Sequence, residues 1–347
     1  MNNLMKWNRK KRIEELPKLL KKRILLLDGA MGTMIQAEKL SEADYRGERF
    51  KNHKKNLFGN NDILSLTKPD LISNIHLEFL KSGSSIIETN SFSSTSISQD
   101  DYLMSDIAYE LNLQSAKIAR DVCNKYEIEF SKEPKYVAGA IGPTNKTTSL
   151  SPDVSDPSKR DITYNELYES YYEAARGLVD GGVDLILVET IFDTLNAKAA
   201  INAIKTLFED KKINLPIIIS GTITDLSGRT LSGQTIEAFW NSIRHAKPFA
   251  VGINCALGGK EMAPYVSEFS RIADTHICIY PNAGLPNEMG EYDETPSDMS
   301  GILENFAKEG YLNIVGGCCG STPDHIKKIS EQVKNYKPRK LPKIKSI

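Results

Sequence analysis

The chain has 347 residues, with 44 Lys and Arg against 45 Asp and Glu, and 40% of it is hydrophobic. A net charge of −1 gives no field to hold nucleic acid or an anionic membrane, and no apolar run reaches the roughly 18 residues that span a bilayer. Five cysteines in a chain this long do not make a disulfide framework, so the thiols are expected to be reduced and the protein cytoplasmic.

Residues 1–22 set Leu4, Trp7, Ile13, Leu16, Leu19 and Leu20 among Lys and Arg. Glu14, Glu15 and the lack of a long apolar stretch exclude a secretory signal. The pattern predicts a basic helical extension that closes the bottom of the following domain. From 23 to 335 one rhythm repeats: a short apolar run, a small or polar residue, a loop, then a helical stripe. The runs are 24–27 ending at Asp28, 85–87 at Glu88, 136–141 at Gly142 and 185–188 at Glu189. They continue with 217–219 ending at Ser220, 249–253 at Asn254, 277–280 near Asn282 and 313–315 at Gly316. Near-continuous apolar runs suit parallel strands buried on both faces.

Between the runs, Leu71, Ile72, Ile75, Phe79 and Leu80 share one helical face. Pro69 falls in that helix's first turn and Gly83 just past its end. Ala197, Ala200, Ile201, Ile204 and Leu207 form a second stripe after the fourth run. Eight strand–helix repeats predict a (β/α)8 TIM barrel; a doubly wound open sheet is the alternative and usually has fewer strands. Long loops are expected at 143–163, 223–235 and 283–300, as lids or docking surfaces. The basic, Pro-broken tail 336–347 reads as a linker or mobile tail.

In such a barrel the chemistry sits at the C-terminal strand ends. There the sequence places Asp28, Glu88, Asn90, Glu189, Thr222, Asn254, Cys255, Asn282, Cys318 and Cys319. Zinc binds thiolate readily and is usually tetrahedral, so three cysteines leave one position for a substrate. Adjacent cysteines on a regular strand point to opposite faces. For Cys318 and Cys319 to reach one ion the backbone must leave strand geometry, and Gly316, Gly317 and Gly320 supply that freedom. Zinc with three thiolates is a poor generator of hydroxide but holds and deprotonates a thiol, which points to alkyl transfer to sulfur. Vicinal cysteines also form strained disulfides or serve as small apolar residues. Cys123, in a helical pattern, and Cys278, in a strand, read as core, and the five histidines show no ligand spacing. Asp28 and Glu189 suit an ammonium clamp, with Glu88 in support; capping of the following helices is the plainer role for such carboxylates.

The segments Leu27-Asp28-Gly29-Ala30-Met31-Gly32-Thr33, Glu88-Thr89-Asn90-Ser91-Phe92, Glu189-Thr190, Gly252-Ile253-Asn254-Cys255 and Gly316-Gly317-Cys318-Cys319-Gly320 resemble those of the zinc-dependent homocysteine S-methyltransferases. Three further stretches are similar to the homocysteine module of cobalamin-dependent methionine synthase. They run from Gly142-Pro143-Thr144-Asn145 to Val154, from Gly221-Thr222 to Thr235, and from Asn282 to Asn287. The resemblance implies Zn2+ on Cys255, Cys318 and Cys319, and Asp28 and Glu189 as anchors for the homocysteine amino group. It further implies that Asn282 lies beside the metal, and that backbone amides near Gly29 and in the Asn90 loop take the carboxylate. No Asp-x-His-x-x-Gly cobalamin motif occurs. The methyl donor is therefore expected to be methylcobalamin on a partner chain, or on modules beyond these residues, which would also carry the methyltetrahydrofolate site. The alternatives are a small donor (S-methylmethionine, S-adenosylmethionine or betaine) and a non-catalytic zinc or redox module.

Overall fold

The computed structural model describes residues 6–224 and 227–342. Eight parallel strands follow one another: β1 Leu25–Leu26, β2 Ile86–Glu88, β3 Tyr136–Ile141, β4 Leu185–Ile191, β5 Ile217–Gly221, β6 Ala250–Gly258, β7 His276–Asn282 and β8 Ile314–Val315. Sequential strands pair from β2 to β8, and β8 pairs with β1. The remaining seam is bridged where Ser85 N–H donates to Leu26 O at 2.8 Å. A helix follows every strand, so the fold is the expected (β/α)8 TIM barrel. No described helix is long and apolar enough to cross a membrane.

The continuous apolar runs are explained by two cores. Leu25, Leu27, Ile86, Tyr136, Leu185, Leu187, Cys278 and Tyr280 point into the barrel. Their neighbours Ile24, Leu26, Ile87, Val137, Ile186, Val188 and Ile277 pack outward against the helices. Helix Arg9–Lys22 lays Leu16, Leu19 and Leu20 into the inner core, at most 4% exposed. Each such burial stabilises by roughly 1.5–3 kcal/mol, so the helix is a plug for the barrel bottom. Its neighbour Leu4 lies outside the described residues.

Several boundaries differ from the sequence pattern. β4, β6 and β7 run past their apolar residues, because main-chain pairing continues through the polar ends. The loop expected at 283–300 stops at Thr295, which caps helix Pro296–Lys308 in a capping box with Asp298. The described part of the tail is also held down: Arg339 is 5% exposed, and its guanidinium donates to the carbonyls of Ser270, Ala273 and Thr275 at 2.6–2.8 Å. These bonds anchor residues beyond the last helix to the barrel's N-terminal side, where a linker or mobile tail was expected.

Candidate metal and substrate site

The cysteines reach one another through two breaks in regular backbone. After Asn254 the β6–β7 register shifts, and Cys255 and Ala256 take φ of +59° and +58°. Such a bulge re-aims a side chain at a strand end. The Cys318–Cys319 turn is pinned by Cys318 N–H to Pro281 O at 2.7 Å, Ala283 N–H to Cys319 O at 2.9 Å, and Ser321 Oγ to Cys318 O at 2.6 Å. Of the three glycines there, Gly320 alone is left-handed, at φ +81°. Gly316 and Gly317 serve closeness instead: a Cβ on Gly317 would meet Ser321 Oγ at 2.4 Å.

The result is a triangle of sulfur atoms. Cys255 Sγ lies 3.8 Å from Cys319 Sγ, and all three Sγ atoms lie within 4.8 Å of one another. A tetrahedral ion with metal–sulfur bonds of about 2.3 Å has sulfur–sulfur edges of about 3.8 Å, so the triangle fits zinc. The charges fit as well. Bonds from Cys255 and Cys318 pull the Cys319 thiol down to about 3. Cys318, donating to Cys255 and Cys319 and buried, is pushed well above the usual thiol range. For Cys255 the bond from Cys318 acts downward, but donation to Cys319 and burial outweigh it and raise the thiol to about 11. On its own the triangle holds one negative charge; three thiolates coexist only around a cation.

Three carboxyl groups share the same cavity. Asp28 is 3% exposed; its Oδ2 accepts from Glu88 N–H at 2.9 Å, while its Oδ1 is buried with no partner. Burial pushes Asp28 well above the carboxylate range, and burial with the charges of Glu189 and Asp28 does the same to Glu88. Glu189, 4% exposed, is raised to about 8, first by burial and against the hydrogen bond from Tyr280 Oη, 3.4 Å from Glu189 Oε2.

The cavity measures about 1090 Å³. Asp28, Gly29, Asn90, Glu189, Cys255, Cys318 and Cys319 all line it, as does Glu88. Asn282 does not: it is 1% exposed, with Oδ1 buried and unpartnered, and the loop returning from β7 sets Tyr292 on the wall. The amide of Asn90 is engaged, donating to Asn61 O at 2.8 Å and Ser65 Oγ at 3.2 Å. His325 reaches the cavity, but both ring nitrogens have partners, Thr322 Oγ1 and Glu294 O, each at 2.9 Å. Cys123 and Cys278 are buried core residues, as their patterns suggested.

Sequence reasoning missed Tyr280, Tyr292, Thr190 and the contacts of Asn254. Tyr280 carried a signal: it lies two residues after the inward-facing Cys278, so its hydroxyl had to meet the barrel interior. Tyr292 carried none, because it arrives on a loop.

A (β/α)8 barrel whose mouth gathers three thiols beside buried carboxylates defines an enzyme with a thiol-handling centre. The homocysteine S-methyltransferase family model matches residues 25–333, and the chain belongs to that family. It is thus a methyltransferase acting on homocysteine. The fold is similar to the homocysteine methyltransferase MmuM from Escherichia coli. The oxidised form aligns at 20% identity and TM-score 0.69 over 94% of this chain and 99% of that one. The metallated form gives 21% and 0.68, over 91% and 98%. The apo form gives 19% and 0.63, over 94% and 100%.

Proposed function

We propose that the chain makes methionine by methyl transfer to homocysteine, with zinc held by Cys255, Cys318 and Cys319 and methylcobalamin on a partner chain as the donor. These residues would hold the ion, which would lower the pKa of a bound substrate thiol so that its proton is lost to solvent and the sulfur stays nucleophilic. The remaining work falls to the chain. Asp28 Oδ1 and Glu189 receive the substrate ammonium, whose charge offsets the cost of ionising both in a buried site. Glu88 supports them, and backbone near Gly29 and in the Asn90 loop takes the substrate carboxylate. Asn282, buried at the end of β7, is given no substrate contact in this reading. One observation carries the proposal: three thiols and three carboxyl groups, two of them buried, open into one cavity, which suits a ligand with sulfur at one end and an amine at the other. Free thiols fit a reducing compartment, the cytoplasm.

The donor assignment draws on the surface. Phe58, Phe92, Leu103, Val154, Leu231, Leu285 and Met289 are exposed on loops at the C-terminal strand ends, Val154 fully and Met289 to 86%. An apolar rim suits docking of a second macromolecule. A second reading has its own support. The cavity wall carries seven carboxyl groups (Asp28, Asp62, Glu88, Asp101, Glu189, Glu291 and Asp293) and no Lys or Arg among the described lining residues. That favours a small cationic donor, a sulfonium or quaternary ammonium compound, over an anionic one.

Purified zinc-loaded chain, given homocysteine and each donor in turn, decides between them. Methionine formed from free methylcobalamin alone supports the partner reading; turnover with S-methylmethionine, S-adenosylmethionine or betaine replaces it. Cys255→Ala is expected to lose stoichiometric zinc and turnover together. Turnover retained in metal-free Cys255→Ala would remove the proposal.

A further inference from the structure

Asn254 is fully buried, and its side chain touches three strand ends. Its Oδ1 accepts from Ser220 Oγ on β5 at 2.7 Å and from Thr190 N–H on β4 at 3.1 Å. Its Nδ2 donates to Thr190 Oγ1 at 2.8 Å and faces Cys318 Sγ, after β8, at 3.9 Å. Thr190 is β-branched yet takes φ +54°, a conformation that persists only when neighbours hold it. The β4–β5 register shifts there, between Val188 and Ile191. That irregularity is what presents Glu189, the residue before Thr190, to the cavity. Asn254 also immediately precedes the second irregularity, the one that presents Cys255. One side chain therefore stands between the bulge carrying the carboxylate and the bulge carrying a thiol, and touches a second thiol.

We propose that Asn254 is the positioning residue that sets the span between Glu189 and the sulfur triangle, and so the length of amino thiol the site accepts. This rests on the anchor-and-thiol reading above. The amide N–H toward Cys318 also withdraws electron density from that sulfur, as outer partners of metal ligands do. Homocysteine is one methylene longer than cysteine, so a span held fixed by Asn254 discriminates between the two.

Cobalt(II)-loaded protein tests this without any methyl donor, because its sulfur-to-cobalt absorption reports the sulfur ligands and titrates bound thiols. Asn254→Ala is expected to weaken homocysteine binding about tenfold or more, to narrow the preference over cysteine and to shift the absorption band. Thr190→Val, which removes one bond and leaves the amide on Cys318, is expected to weaken homocysteine with the band unmoved. Asn254→Asp, of the same size but without the N–H toward Cys318, is expected to shift the band. Asn254→Ala that loses thermal stability while homocysteine affinity, cysteine discrimination and band all stay as in the wild type overturns the proposal. Should that variant fail to fold, Thr190→Val and Asn254→Asp without these effects overturn it equally. Glu189→Gln separates the two readings: unchanged homocysteine affinity there sinks the anchor assignment, whereas the Asn254→Asp band shift reports on Asn254 alone.

Discussion

Replacing Gly320 by Ala tests whether the vicinal-thiol turn dictates the sulfur triangle. A Cβ at that position would sit 2.3 Å from Tyr292 Cβ, 2.6 Å from Tyr292 Cγ and 3.1 Å from Ala283 Cβ. The residue is also left-handed, at φ +81°. The conformation costs about 1–2 kcal/mol for a residue with a Cβ, and crowding of packed atoms costs about 1–3 kcal/mol more. The total is roughly 2–5 kcal/mol. If the turn keeps its shape, the loss appears as stability in denaturant melts of the metal-free protein. If it yields, Cys319 leaves the triangle and the loss appears in metal affinity, where about 2 kcal/mol is ~30-fold by chelator competition. Gly301→Ala is the control. It lies in helix Pro296–Lys308 with nothing within 4 Å of the new Cβ, and is expected to stabilise by about 0.5–1 kcal/mol. A Gly320→Ala protein as stable as wild type, with undiminished metal affinity, would refute the reasoning.

Asp28→Asn is expected to weaken homocysteine about tenfold with kcat nearly kept; kcat lost at constant KM would argue for proton chemistry at Asp28 instead. Relative to Glu189→Gln, the metal-free, ligand-free wild-type protein should lose thermal stability as pH rises from about 5 to 8. Glu189 titrates near 8 when folded against an ordinary 4.5, so across that window its folded form keeps a proton that the unfolded chain has lost; Cys319, held to about 3, acts in the opposite sense in both proteins and drops out of the difference. A wild-type melting temperature that climbs relative to that of Glu189→Gln over this range contradicts the assignment. Arg339→Ala strips three carbonyls of their buried donor, and is expected to cost roughly 2–4 kcal/mol in urea melts while leaving homocysteine affinity alone.

Much of the fold was legible because its signals are local. An inner and an outer core give the strands near-continuous apolar runs, and the stripe from Leu71 to Leu80 marks a helix by its period alone. Strand ends were less legible, since Glu189–Ile191 and Asn254–Gly258 stay paired after the apolar residues stop. The tail misled for a related reason. Its composition is that of a linker, yet one guanidinium finds three carbonyls. The loop after β7 was read past its end because the Thr295-Pro296-Ser297-Asp298 start of a helix lay inside a polar stretch.

Residue order alone settled the eightfold rhythm and the helical stripes, because burial periodicity is written along the chain. Closure of the barrel decided everything that depends on distance. It brought Cys255 and Cys319, 64 residues apart, to 3.8 Å. It pooled Asp28, Glu88 and Glu189 in one low-dielectric wall, gave Asn254 its three partners, and brought Tyr292 to the cavity on a loop. Those outcomes follow from how far each bulge turns a side chain, and that angle is fixed by neighbours on other strands rather than by the residues beside it.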